Sequence, residues 1–139
     1  MCQHHASLHA AQPFEYGRRQ QDKGLPQTYH DRARNIMGEA EARFKQLQLG
    51  NIITRFGDGA EGWAKQAPFD RILVTAAAPD DPKTLLAQLK PSGVLVAPIG
   101  RGPVQTLKRF AGDGAGGFRE EVLCEVRFVP LLEGVAREL

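Results

Sequence analysis

Two stretches of the sequence combine residue types and spacing that could do binding chemistry: the triplet Gly57-Asp58-Gly59 and the run of small residues Thr75-Ala76-Ala77-Ala78-Pro79. A carboxylate between two glycines can accept hydrogen bonds from a ligand amino or hydroxyl group, and the missing side chains on either side leave room for a flat ring. Taken alone, the triplet also fits an ordinary Asp-Gly turn. Ala76 and Ala77 would let a ligand approach the backbone closely, at the C-terminal end of a strand where open α/β sheets bind their ligands. A third grouping, Cys2, His4, His5 and His9, combines thiolate and imidazole, a set that suits zinc or copper. It lies near a terminus with no evident scaffold to hold it, so it reads as incidental and no metal is expected.

The elements that must position these residues follow from pattern. Ile72-Leu73-Val74 is a continuous aliphatic run between a charged pair and the small-residue stretch, as in a central parallel strand buried on both faces. Asp81 and Pro82 would cap and start a short helix whose buried side is Leu85, Leu86 and Leu89. Pro91-Ser92-Gly93 then turns the chain into a second buried strand, Val94 to Ile99. Phe69 to Ile99 is therefore a strand-helix-strand unit, expected to be parallel and right-handed. Gln105 to Phe110 and Phe118 to Leu123 read as strands flanking a glycine-rich tip, an antiparallel hairpin. The second of these strands is expected to run on through Val126-Arg127-Phe128-Val129-Pro130-Leu131. The glycine-rich tip joins two strands and lacks the lysine of a phosphate-cradling loop, so it carries no such role.

Upstream, Ala33, Ile36, Ala40, Phe44 and Leu47 recur at three- and four-residue intervals, predicting a helix from Arg32 to Leu49 that Gly50 stops. Ile52 to Phe56 is a short strand candidate. Residues 1–31 hold all four histidines and few aliphatic residues, and read as an irregular lead-in. A chain of 139 residues, 42% hydrophobic and 24% charged, is one domain with an ordinary core. Its net charge of +2 without a basic stripe argues against nucleic acid. No apolar run of membrane-spanning length is present, and two cysteines far apart in sequence suit a reducing, cytoplasmic setting.

Read in order, Leu47-Gln48-Leu49-Gly50-Asn51-Ile52, Arg55-Phe56-Gly57-Asp58-Gly59 with Gly62-Trp63, and Ala67 through Pro79 resemble the protein-L-isoaspartate O-methyltransferase family. Leu85 through Gly100 and Val126-Arg127-Phe128-Val129-Pro130-Leu131 continue the resemblance in the same order, so that it covers about Ile36 to Leu131, the family's C-terminal half or so. It implies an α/β fold: an incomplete class I S-adenosylmethionine-dependent methyltransferase sheet, Rossmann-like, with a C-terminal antiparallel hairpin. It implies S-adenosylmethionine as cofactor and methyl transfer to the carboxylates of isoaspartyl-containing proteins or peptides. By the same resemblance Gly57, Asp58 and Gly59 are the cofactor contact near the adenine. Thr75, Ala76, Ala77, Val126 and Arg127 belong to the substrate pocket, and no catalytic side chain is assignable.

The family's opening segment, its Gly-x-Gly-x-Gly turn and its ribose-binding acid have no counterpart in this sequence. Gln27-Thr28-Tyr29-His30 stands where the acid-ending strand should precede the helix. Residues 1–31 are accordingly expected to be unlike the family, with 32–139 forming the C-terminal part of a methyltransferase domain. The resemblance implies a sheet ordered 3-2-1-4-5, with Ile52 to Phe56 as its third strand and two neighbouring strands missing. That strand should then fray or drive self-association. A non-catalytic α/β remnant, or a small binding module, is the alternative reading.

Overall fold

The computed structural model of the chain describes residues 7–10 and 26–131, with side chains from residue 36 onward. The described residues fall into two compact units, one comprising 7–10 and 59–131, the other 26–58. The first contains a five-stranded sheet in sequence order: β1 (Ser7–Ala10), β2 (Phe69–Val74), β3 (Leu89–Ile99), β4 (Gln105–Gly112) and β5 (Phe118–Val126).

β2 and β3 run parallel, joined by the short helix α2 (Lys83–Leu86), so the predicted strand-helix-strand unit is present. β3, β4 and β5 form antiparallel pairs, confirming the hairpin. The core is built from Phe69, Ile72, Val74, Leu85, Leu86, Leu89, Leu95, Phe110 and Leu131. Alternation shows that β2 is buried on one face only: Ile72 and Val74 are 2% and 1% exposed, whereas Leu73 between them is 40% exposed. The expectation of burial on both faces is thus corrected. β3 begins at Leu89, earlier than Val94, because the Phe69 N–H donates to the Gln88 carbonyl at 2.8 Å and an irregularity between Phe69 and Arg71 absorbs Pro91 and its neighbours.

Asp81 does not cap α2. The residue preceding the helix is Pro82, with no side-chain cap, and the Asp81 carboxylate accepts from Lys108 Nζ at 3.2 Å. Lys108 also meets Glu120 at 2.7 Å. These hydrogen bonds, Glu120 foremost, raise the amine's pKa against a smaller lowering by burial.

Ser7–Ala10 pairs in parallel with β2, Ser7 opposite Arg71 and Ala10 opposite Val74, so the first 31 residues are not wholly irregular. An edge strand is held by its ladder, which any backbone can supply, and hydrophobic periodicity does not report it. His9 of the proposed metal grouping lies at a register position in β1; Cys2, His4 and His5 lie outside the described residues.

The second unit contains α1 (Pro26–Gln46), which starts six residues before the predicted Arg32 and ends by a different device. Gln48, not Gly50, adopts the left-handed conformation (φ 55°). The Leu49 N–H donates to the Phe44 carbonyl at 2.9 Å and the Gln48 N–H to the Lys45 carbonyl at 3.1 Å, the paired closure of a Schellman motif. A side chain in that conformation costs about 1 kcal/mol relative to glycine. Gln48→Gly is therefore expected to stabilise the helix end by about 1 kcal/mol, measured as a later loss of helical circular dichroism on heating.

None of residues 36–58 is buried. Ile36 on the apolar stripe of α1 is 44% exposed, and Glu41 accepts from Thr54 Oγ1. Ile52 to Phe56 forms no strand, correcting the predicted third strand. Its aliphatic residues satisfy a local preference, but a strand exists only where a ladder partner does.

Candidate functional site

Three of the predicted site residues, Thr75, Ala76 and Ala77, lie just past the end of β2. Beyond Val74 the chain continues through half-buried Thr75 into Ala76 and Ala77, which are 0% and 3% exposed. The Ala77 N–H donates to the Val129 carbonyl and its carbonyl accepts the Leu131 N–H, each at 2.7 Å. On the next residue, the Ala78 N–H donates to the Pro98 carbonyl and the Ala78 carbonyl accepts from the Gly100 N–H, each at 2.9 Å. The strand end is thereby clasped between the end of β3 and the segment that follows β5.

This arrangement departs from the sequence reading in one respect. β5 ends at Val126 rather than continuing to Leu131. The residues beyond it cross to β2 and make an isolated parallel bridge, Ala77 to Pro130. Pro130 has no N–H to give to a continuing ladder, while the amides on either side can turn toward Ala77. The close backbone approach that the small Ala77 permits is taken by the protein's own chain. Thr75 and Val126 are half-buried, Arg127 is exposed, and Phe128 and Val129 are partly exposed.

The Gly57-Asp58-Gly59 triplet spans the boundary between the two units, Asp58 closing one and Gly59 opening the other. Asp58 is half-buried, and Gly59 begins a 3-10 turn, Gly59–Glu61. A Cβ on Gly57 would meet the Arg55 guanidinium at 3.5 Å, an ordinary contact, so close packing does not demand a glycine at that position.

The next glycine is more constrained. Gly62 has φ 64°, and a Cβ there would lie 2.5 Å from Gln88 Oε1 and 2.7 Å from Leu85 Cδ2. Gln88, 7% exposed, donates from Nε2 to the Glu61 carbonyl and accepts the Trp63 N–H on Oε1, both at 2.8 Å. Sequence reasoning missed it. The available signal was its position between Leu85 and Leu89, on the side of the short helix that the leucines bury.

No group of three or more metal-ligating side chains occurs among the described residues, and no described helix is long and apolar enough to cross a membrane.

A parallel strand-helix-strand unit with small residues at the strand end, continued by an antiparallel hairpin, defines an incomplete Rossmann-like α/β methyltransferase sheet. A solved protein-L-isoaspartate O-methyltransferase superposes with a TM-score of 0.58 at 26% identity, covering 69% of this chain and 31% of that one. Residues 29–136 match the family model for protein-L-isoaspartate(D-aspartate) O-methyltransferase, and the chain belongs to that family. The enzyme of that name from Caulobacter vibrioides is 72% identical over 108 residues, 78% of this chain and 49% of the relative. That from Maricaulis maris is 51% identical over 109 residues, 78% and 51% of the two chains. The chain thus spans about half the length of the curated relatives it matches.

Proposed function

We propose that residues 32–139 carry the C-terminal part of an S-adenosylmethionine-dependent protein carboxyl methyltransferase acting on isoaspartyl-containing proteins or peptides in the cytoplasm. The observation that supports this reading most directly is the clasp at Ala77. It joins Ala77 to Val129, Pro130 and Leu131, the far end of the block that begins with Val126 and Arg127, and so supports a pocket formed by these two parts of the chain.

The donor set fits the adenosine part of the cofactor at one loop. The Asp58 carboxylate can accept from an amino or hydroxyl group, and Gly57 and Gly59 add no side chain above a ring. When bound, S-adenosylmethionine supplies an electrophilic methyl carried on a sulfonium. The substrate carboxylate is ionised at neutral pH and needs no general base, so this chain's residues contribute by orientation: Thr75 at the strand end, and Val126 and Arg127 as the wall.

Methyl transfer from labelled cofactor to an isoaspartyl peptide tests the reading. Turnover well below that of a full-length relative is expected, because no counterpart of the family's glycine-rich turn occurs in the sequence. Complete absence of peptide methylation together with no binding of S-adenosylhomocysteine would favour the non-catalytic alternative. Asp58→Ala is expected to weaken S-adenosylhomocysteine binding by about 1 to 3 kcal/mol in calorimetry, the cost of stranding a polar partner. Equal affinity for both proteins would remove Asp58 from the site.

A further inference from the structure

Gln105, the first residue of β4, is 6% exposed and uses both ends of its carboxamide on backbone. Nε2 donates to the Gly102 carbonyl at 2.6 Å, and Oε1 accepts the Phe128 N–H at 2.8 Å. The two bonds fix the amide's orientation, since a flip would set donor against donor and acceptor against acceptor. Gln105 pairs with Val126 at the last rung of the hairpin, so the Phe128 N–H lies just past the end of the ladder. One residue further, the Val129 carbonyl receives the Ala77 N–H. The span from Val126 to Val129 is therefore fastened at one end by Gln105 and at the other by the strand end. The loop from Gly100 to Val104 is likewise tied on one side to Ala78, through the Gly100 N–H, and on the other to Gln105, through the Gly102 carbonyl.

We propose that Gln105 is a positioning residue, whose carboxamide sets the height of the Val126–Val129 wall over the end of β2 and thereby the fit of the substrate peptide. The substrate half of this statement rests on the function proposed above; the positional half does not. Phe128 is 39% exposed, so water can reach its amide when the carboxamide is removed. The main consequence of removal is then displacement of the wall rather than loss of the core.

Two substitutions separate the hydrogen bond from the volume. Gln105→Met keeps the bulk and removes both bonds, whereas Gln105→Glu keeps the acceptor for Phe128 but replaces the donor to Gly102 with an oxygen that repels that carbonyl. Native-state amide exchange on the full chain should show the Phe128 N–H exchanging about 10-fold faster or more in Gln105→Met but within about threefold of the unsubstituted chain in Gln105→Glu, with Ile72 and Leu95 unchanged. Affinity for an isoaspartyl peptide, measured with S-adenosylhomocysteine present, should fall about 5- to 10-fold in Gln105→Met and recover in Gln105→Glu. Equal Phe128 exchange in all three chains, or equal loss of peptide affinity in both variants, overturns the proposal in favour of simple packing. Should Gln105→Met fail to fold, faster Phe128 exchange in Gln105→Glu alone would overturn it. If the unsubstituted chain binds no peptide, the functional reading fails, and Phe128 exchange alone decides the positional role.

Discussion

Gly112→Ala is expected to cost the sheet about 3 kcal/mol, read as an earlier midpoint in urea denaturation followed by Trp63 fluorescence. A Cβ at Gly112 would lie 2.0 Å from the Pro91 carbonyl oxygen and 2.7 Å from its carbon, far inside contact distance. Both neighbours are backbone, and the Pro91 ring fixes its own φ, so neither side can yield by a rotamer change. The same carbonyl accepts the Gly114 N–H at 3.2 Å, and moving it aside would break that bond as well. Gly114→Ala is the control. Its φ is 78° but nothing lies within 4 Å of the added carbon, so it should cost only about 1 kcal/mol of backbone strain. Equal losses at the two positions would refute the steric account.

Gln88→Met should destabilise by about 2 to 4 kcal/mol, because it strands the Trp63 N–H and the Glu61 carbonyl together. Gln88 bonds the loop these groups belong to and also occupies the space beside Gly62. Gly62→Ala is expected to be damaging in the original background and less so beside Gln88→Ala. A double-mutant cycle should accordingly give a coupling of about 1 kcal/mol or more. Strict additivity would show that the positive φ and the Leu85 contact, rather than Gln88, are what require the glycine.

What was legible in the sequence was the apolar run bounded by turn residues, although not which of its side chains are buried. Ile72 and Val74, Leu85 and Leu86, and Leu95 and Ala97 announced the strand-helix-strand unit, and the glycines around Asp113 announced the hairpin tip, where Asp113 Oδ1 accepts the Ala115 and Gly117 amides at 2.8 and 2.9 Å. The block from Val126 to Leu131 was singled out through resemblance rather than through pattern, and its course, leaving β5 at Val126 to bridge Ala77, was not legible. Three features were invisible for separate reasons. Ser7–Ala10 is joined through a backbone ladder, which hydropathy does not report; Gln88 and Gln105 do their work through carboxamides that hydropathy treats as surface; and Ile52 to Phe56 has the composition of a strand but pairs with no strand among the described residues. The helix stop was misplaced because a glycine is the usual left-handed residue, whereas here Gln48 takes that role and the closing hydrogen bonds hold it there.

The pairing of β1 with β2 has a consequence for the order in which the fold is reached. Ser7 and Arg71 meet across about sixty residues of intervening chain, and closing a loop of that length costs about 4 kcal/mol of entropy on the logarithmic scaling of flexible loops. Only four residues of parallel ladder are gained in return. β3, β4 and β5, by contrast, follow one another through short connections and can zip from their turns. The hairpin end should thus assemble in the fast kinetic phase and β1 arrive last, so that in pulse-labelling during refolding the β4 and β5 amides become protected well before any amide of Ser7–Ala10. The parallel edge of β2 is correspondingly the slowest surface to be covered, and the one that folding intermediates leave open longest to other chains.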